Sequence, residues 1–210
     1  MASILFLTLH RPNRSPSQRF RFEQYLPYLK ENGFDYDWSY IITEQTDKRF
    51  YSPGNYFFKF TVLVAAVTKR LVELFRVKKY DIVFVQRECF MLGTAFFEKQ
   101  FANTTKLIFD FDDAIWLPNV SKANQKLAFL KRPAKTKEII GAASLVIAGN
   151  TYLANYARQF SGQVMTIPTT IDTIHVHNRT KEHTAKKTIA IGWTGSSLSL
   201  IHISEPTRPY

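Results

Sequence analysis

Lys106-Leu-Ile-Phe-Asp-Phe-Asp-Asp-Ala-Ile-Trp116 decides the fold, because a short apolar run ends there in three carboxylates within four positions. Leu107, Ile108, Phe109 and Phe111 have the β-branched and aromatic character of a strand covered on both faces, and Asp110, Asp112 and Asp113 stand at its carboxyl end. In open α/β sheets the crevice beyond the strand carboxyl ends is where ligands bind, so acids placed there can meet sugar hydroxyls, a base or a metal. Asp also closes strands and caps helices, which leaves a purely structural role open.

Upstream, residues 3–10 read as a first strand that breaks into Arg11-Pro-Asn-Arg-Ser-Pro-Ser17 before a helix expected over 17–32. Arg11, Arg14, Arg19 and Arg21 fall in this loop and the first helical turns, where backbone N–H groups can add to their pull on an anion; simple solvation is the competing reading. No G-x-G-x-x-G stands at this turn, which disfavours a nicotinamide enzyme. Gly33 stops the helix, and Phe34, Tyr36, Trp38 and Tyr40 alternate with polar residues as in a half-covered second strand over 34–43.

A long helix is expected over about 56–79. Its charges Lys59, Arg70, Glu73 and Arg76 fall near one line, beside Lys69. They leave a broad face of Phe57, Phe60, Val64, Val67, Leu71, Leu74 and Phe75 to pack on the sheet. The apolar run between charges is too short to span a bilayer, while the basic, aromatic composition leaves contact with a lipid surface as the other reading. Residues 80–88 are a further strand with polar residues at its carboxyl end, and 91–101 a helix leading into the Asp-rich strand.

Beyond Trp116, Lys122, Lys126, Lys131, Arg132, Lys135 and Lys137 face only Glu138, forming the best candidate anion patch. Pro133 suits the first turn of a helix to Ala143; 144–150 is a short strand, 151–160 a helix and 164–168 one more strand. Repeated strand and helix units with short connections predict a doubly wound parallel, Rossmann-like α/β sheet over 1–172. A polar linker over 173–187 precedes a fresh strand, 188–193, that ends in Gly192-Trp-Thr-Gly-Ser196. His175, His177 and His183 in that linker read as solvated, with no carboxylate or cysteine placed to complete a metal site.

The chain has 210 residues, 45% hydrophobic, enough for one full domain and the start of a second. A net charge of +11 points to anionic surroundings without choosing between nucleic acid, lipid headgroups and phosphorylated substrates. The single Cys89 excludes an internal disulfide framework and a cysteine-rich zinc site, and residues 1–10 are too short for a signal peptide, so the cytoplasm is the expected compartment.

Four motifs in order carry a resemblance: Phe109-Asp-Phe-Asp-Asp-Ala-Ile-Trp116, Val146-Ile-Ala-Gly-Asn150, Ile167-Pro-Thr-Thr-Ile-Asp172 and Ile191-Gly-Trp-Thr-Gly-Ser196. Together they resemble bacterial GT-B glycosyltransferases of the large retaining family, in which two Rossmann-like domains face each other across a cleft. The resemblance implies that residues 1–172 are the acceptor-side domain and 188–197 the first strand of a nucleotide-sugar domain. It places Arg11, Arg14, Arg19, Asp110, Asp112 and Asp113 on the acceptor side of the cleft, and Gly192, Thr194, Gly195 and Ser196 at the donor phosphate. The family's donor-holding paired-Glu motif would lie beyond this sequence, leaving the catalytic residues unassigned, and where many relatives carry a His near the end of the fourth strand this chain has Asp112 and Asp113.

Departure of a nucleoside diphosphate builds negative charge that helix N-termini, glycine-loop amides and basic side chains stabilise, so neither metal nor cofactor is expected; the nucleotide-sugar is a substrate. The expected partners are that donor and a polysaccharide, lipid-linked or other cell-surface glycan acceptor, with an anionic membrane surface possible and no nucleic acid. The chain alone is expected to be inactive. A non-enzymatic anion-binding α/β module is the competing class. Finally, Leu198-Ser-Leu-Ile-His-Ile-Ser-Glu-Pro-Thr-Arg208 resembles an in-frame translation of a transposase-type sequencing adapter, so residues 198–210 are expected to be foreign to the natural protein.

Overall fold

The computed structural model describes residues 2–117, 132 and 134–179. Six strands, β1 (Ala2–His10), β2 (Phe34–Ile42), β3 (Ile82–Gln86), β4 (Lys106–Phe111), β5 (Leu145–Ala148) and β6 (Val164–Thr166), form one sheet in the order β2-β1-β3-β4-β5-β6. Every neighbouring pair is parallel. Parallel neighbours need crossovers. The connections therefore carry α1 (Pro16–Arg21), α2 (Leu26–Glu31), α3 (Glu44–Tyr51), α4 (Tyr56–Arg76), α5 (Phe96–Thr104), α6 (Ala134–Ala142) and α7 (Thr151–Ala157).

Strand residues alternate between two cores, as the pleat requires. Leu5, Leu7, Val83, Val85, Leu107, Phe109 and Phe111 join a large core with residues of α4 to α7, while Ile4, Phe6 and Phe84 turn to a smaller one closed by Phe22 and Leu26. Phe6 and Phe22 stack with ring centroids 4.9 Å apart. The chain is thus a doubly wound, Rossmann-like α/β fold. Its strand order reverses between β1 and β3, and in such sheets the carboxyl-end crevice at the reversal is the place for a ligand.

Several expectations need correction. The single helix over 17–32 is instead α1, a 3-10 turn (Glu23–Tyr25) and α2. Phe22 leaves the helical region (φ −144°, ψ −32°) as its ring enters the smaller core, and Pro27 sits in the first turn of α2, where its missing N–H costs nothing. Helix α3 had no apolar period to announce it. Its start is a reciprocal cap in which the Thr46 side chain accepts from the Thr43 backbone. Helix α5 starts at Phe96 rather than 91, because the preceding loop is tied down by polar contacts: Glu98 accepts from the Cys89 N–H at 3.2 Å and Lys135 donates to the Leu92 carbonyl at 3.0 Å.

The largest correction concerns α4, which is rotated about its axis from the orientation its charges suggest: of the expected inward face only Val67 and Leu74 pack against the core. Val62, Ala66 and Arg70 are the buried residues of the helix, whereas Phe57 (82%), Phe60 (61%) and Phe75 (86%) are exposed. Arg70 is completely buried and fully occupied: it donates to the carbonyls of Cys89 (2.7 Å) and Thr8 (2.9 Å), to Ser39 Oγ (3.1 Å) and to Glu73 (2.6 Å). A buried charge is tolerated in a core only when hydrogen bonds satisfy it, and the carbonyls of Thr8 and Cys89 supply two of its acceptors.

Among the described residues no helix is long and apolar enough to cross a membrane. The strand expected over 188–193, the loop candidates Gly192, Thr194, Gly195 and Ser196, most of the linker, the tail, Lys122, Lys126, Lys131 and Pro133 lie outside the described residues.

Candidate functional site

The crevice at the reversal is built by the segments that leave β1, β3 and β4. Helix α1 is pinned over the end of β1 by Gln18, whose amide donates to the His10 carbonyl (3.0 Å) and whose oxygen accepts from the His10 N–H (3.3 Å). That anchoring holds Ser17 on the first turn beside the sheet edge. Gln86, the last residue of β3, donates to Ser17 Oγ at 2.7 Å, and Ser17 Oγ donates to Asp112 Oδ1 at 2.7 Å. A relay of three side chains from three connections thus fixes the Asp112 carboxylate at the crevice. No sequence pattern links Ser17 to Asp112 across 95 positions; the polar residues at the end of the third strand were the available signal for Gln86 and Arg87.

Arg87 continues this edge in an unusual conformation, with φ +64°. The left-handed turn lets its N–H donate to the Asp110 carbonyl at 2.8 Å while its guanidinium reaches Asp113 at 3.1 Å. Asp113 stays exposed and Asp112 half-buried, so both carboxylates remain in contact with solvent at this strand end. The floor beneath Asp112 has no room to spare. A Cβ on Gly149 would lie 3.0 Å from the Asp112 Cα, and the Gly149 N–H donates to the Phe111 carbonyl at 2.9 Å. Next to it, Asn150 caps α7 by accepting from the Leu153 N–H at 2.9 Å.

Asp110 belongs to a different environment, and its expected place in a ligand cleft is corrected. Its carboxylate is 1% exposed and grips the buried Arg21 guanidinium through both oxygens, with Arg21 Nε 3.1 and 3.2 Å from Oδ1 and Oδ2. The remaining arm of Arg21 donates to the Ile167 carbonyl at 2.5 Å. Burial pushes the Asp110 carboxyl up to about 6, outweighing the downward pull of Arg21. This pair organises the crevice from below and joins β4, α1 and the chain that leaves β6.

The basic loop is also redistributed. Arg14 pairs with Asp47 on α3, and Arg11 lies 3.6 Å from Glu44 and 4.0 Å from Asp47. With Lys48, Tyr51, Ser52 and Pro53 they line a shallow cavity of about 630 Å³. Next to Tyr51, His10 has its Nε2 2.7 Å from the Tyr51 hydroxyl; burial holds its pKa below the ordinary value and Arg14 lowers it further. Arg14 and Arg19 are both exposed, but Arg14 is paired, whereas Arg19 has no carboxylate partner among the described residues and lies 5.4 Å over the Phe20 ring. Most of the positive charge read from this loop is therefore answered by carboxylates, which weakens the anion-binding reading there.

The downstream patch is corrected in the same way. Lys135 is buried, bonded to Glu88 (2.9 Å) and to the Phe90 carbonyl, with Glu98 at 3.4 Å; Arg132 pairs with Glu138. Only Lys137 of the described members is turned to solvent without such a role in the loop's packing. Cys89 is buried beside this cluster, and burial raises its thiol pKa well above the ordinary value. Among the described residues no three His, Cys, Asp or Glu side chains converge on a metal position.

No family model and no curated protein matches the sequence. Among solved structures the chain is similar to an alpha-glucosyltransferase in complex with UDP-glucose and DNA containing an abasic site. The identity is 12% and the TM-score 0.48, over 87% of this chain and 47% of that one. The chain thus spans less than half the length of that structure.

Proposed function

We propose that this chain is the acceptor-side domain of a GT-B glycosyltransferase, which moves a sugar from a nucleotide-sugar donor to a hydroxyl of a polysaccharide, lipid-linked or other cell-surface glycan. The observation that carries the reading is the Gln86–Ser17–Asp112 relay at the sheet reversal. It holds a half-buried carboxylate, with Asp113 and Arg87 alongside, where a polyhydroxylated ligand can be gripped by several oriented hydrogen bonds. The ordered motifs at the ends of β4 and β5 and after β6 support the same reading. In the transfer, the bond between the donor's anomeric carbon and its phosphate oxygen breaks, the nucleoside diphosphate leaves, and the acceptor oxygen takes its place while losing its proton. Asp112 and Asp113 are given acceptor hydroxyl binding, not the chemistry of the leaving group, which belongs to a second domain.

The test is transfer of a labelled sugar by a two-domain protein carrying this chain, read across a panel of nucleotide-sugars with a polyprenyl-linked glycan as acceptor. Asp112→Asn should lower kcat/KM for the acceptor roughly tenfold or more while leaving nucleotide-sugar binding unchanged. The 210-residue chain alone should show no turnover. Transfer that is insensitive to Asp112→Asn, or no transfer from any donor of the panel, overturns the proposal.

A further inference from the structure

The face that α4 turns outward is apolar along most of its length. Tyr56 (64%), Phe57, Phe60, Val64 (49%), Leu71, Val72 and Phe75 follow one another at helical spacing from the first turn to the last. Isolated exposed apolar residues are ordinary, but an aromatic-rich stripe on a 21-residue helix is not, since water gains nothing from it. The helix would be expected to bury that face in its own sheet. It cannot, because the inward stripe is committed through Arg70 to Thr8, Ser39, Glu73 and Cys89.

The charges around this face have one sign. The single acid of α4, Glu73, is drawn inward to Arg70 and Ser39. Arg49 and Lys59 lie towards one end and Arg76 and Lys78 towards the other; Arg49 sits 4.4 Å over the Phe58 ring and Lys59 5.9 Å from the Tyr56 ring. Of the neighbouring bases, Lys69 is held by the Tyr40 carbonyl and Lys79 by Asp37. An apolar stripe with a basic rim matches the boundary of an anionic bilayer, where acyl chains take the stripe and headgroup phosphates the rim. Two copies of the chain meeting through this face would bring like charges together, on molecules that each carry +11.

We infer that α4 lies in the plane of an anionic membrane surface with Phe57, Phe60, Leu71 and Phe75 inserted between the headgroups, so that the chain is a peripheral membrane protein docked through this helix. This stands apart from the transfer reading, since lipid contact and sugar chemistry use different elements and either can hold without the other.

The experiment uses the full 210-residue chain and vesicles of phosphatidylcholine with or without phosphatidylglycerol. Co-sedimentation with the phosphatidylglycerol vesicles is expected, weakening as salt is raised and absent with phosphatidylcholine alone. Phe57→Ser and Phe75→Ser should each reduce binding roughly tenfold or more, and Lys59→Gln with Arg76→Gln should reduce it on anionic vesicles. Both phenylalanines are exposed, so unchanged thermal unfolding of the variants separates loss of docking from loss of fold. In a Phe60→Trp variant the fluorescence should shift to the blue on anionic vesicles and be quenched by brominated acyl chains. Absence of co-sedimentation, binding that ignores the Phe substitutions, or a solution dimer abolished by Phe57→Ser overturns the proposal.

Discussion

Arg14 and Arg21 leave the same short stretch between β1 and α2, and each meets an aspartate, but the two pairs live in different media. Arg21 and Asp110 are both almost completely sealed, and the guanidinium also holds a backbone carbonyl beyond β6. Arg14 is 44% exposed and meets Asp47 at the rim of an open cavity. Water can replace the second pair and cannot replace the first. The buried pair therefore specifies where β4, α1 and the segment after β6 meet, and the rim pair only shades the local charge.

The sharpest way to break this contrast is Arg21→Ala, which strands Asp110 in the core and should cost about 3–5 kcal/mol, read by denaturant unfolding. Because Asp110 can take up a proton, and without Arg21 does so more readily, part of that loss should be recovered as the pH is lowered. Gly149→Ala comes next. Its methyl group meets the Asp112 backbone at 3.0 Å, so about 1–3 kcal/mol of stability is expected to be lost, measured by denaturant unfolding.

A third test uses pH. The folded-state pKa of Asp110 is raised from the ordinary 3.8 to about 6, so the stability it contributes is full below 3.8 and is lost as pH rises through 6. Asp47 has the opposite sign: Arg14 holds its carboxyl below the ordinary value, so its contribution is present above 3.8 and lost as the pH falls through its lowered pKa. In melting curves taken from pH 4 to 7, Asp110→Asn should remove a downward component and Asp47→Asn should not. The smallest effect is that of Asp47→Asn at neutral pH. Arg14 is solvated, and the loss should stay within about 1 kcal/mol.

The same difference between media explains what could be read in the sequence. β3, β4 and β5 were legible because burial on both faces writes an apolar run directly into the chain, and Asp112 and Asp113 were legible as acids at a strand end. The partners of those acids were not, since Ser17 and Asp112 meet only after the sheet has brought distant connections together. Helix α4 misled for a related reason. A charged stripe is taken to face water, but Arg70 finds its four acceptors inside, and only the folded strand ends reveal them. Arg21 likewise read as one of four loop arginines, with nothing local to mark it as the buried one.

The left-handed backbone of Arg87 has a consequence for anyone who engineers this chain. A non-glycine residue at φ +64° carries a conformational cost of about 1 kcal/mol or more, and a selection that rewards heat resistance alone would therefore be drawn to Arg87→Gly. The variant would keep the turn and its N–H bond to Asp110, and would pass every test of folding. It would also discard the guanidinium that steadies Asp113, so a library ranked by melting temperature would fill with well-folded proteins stripped of one wall of the crevice.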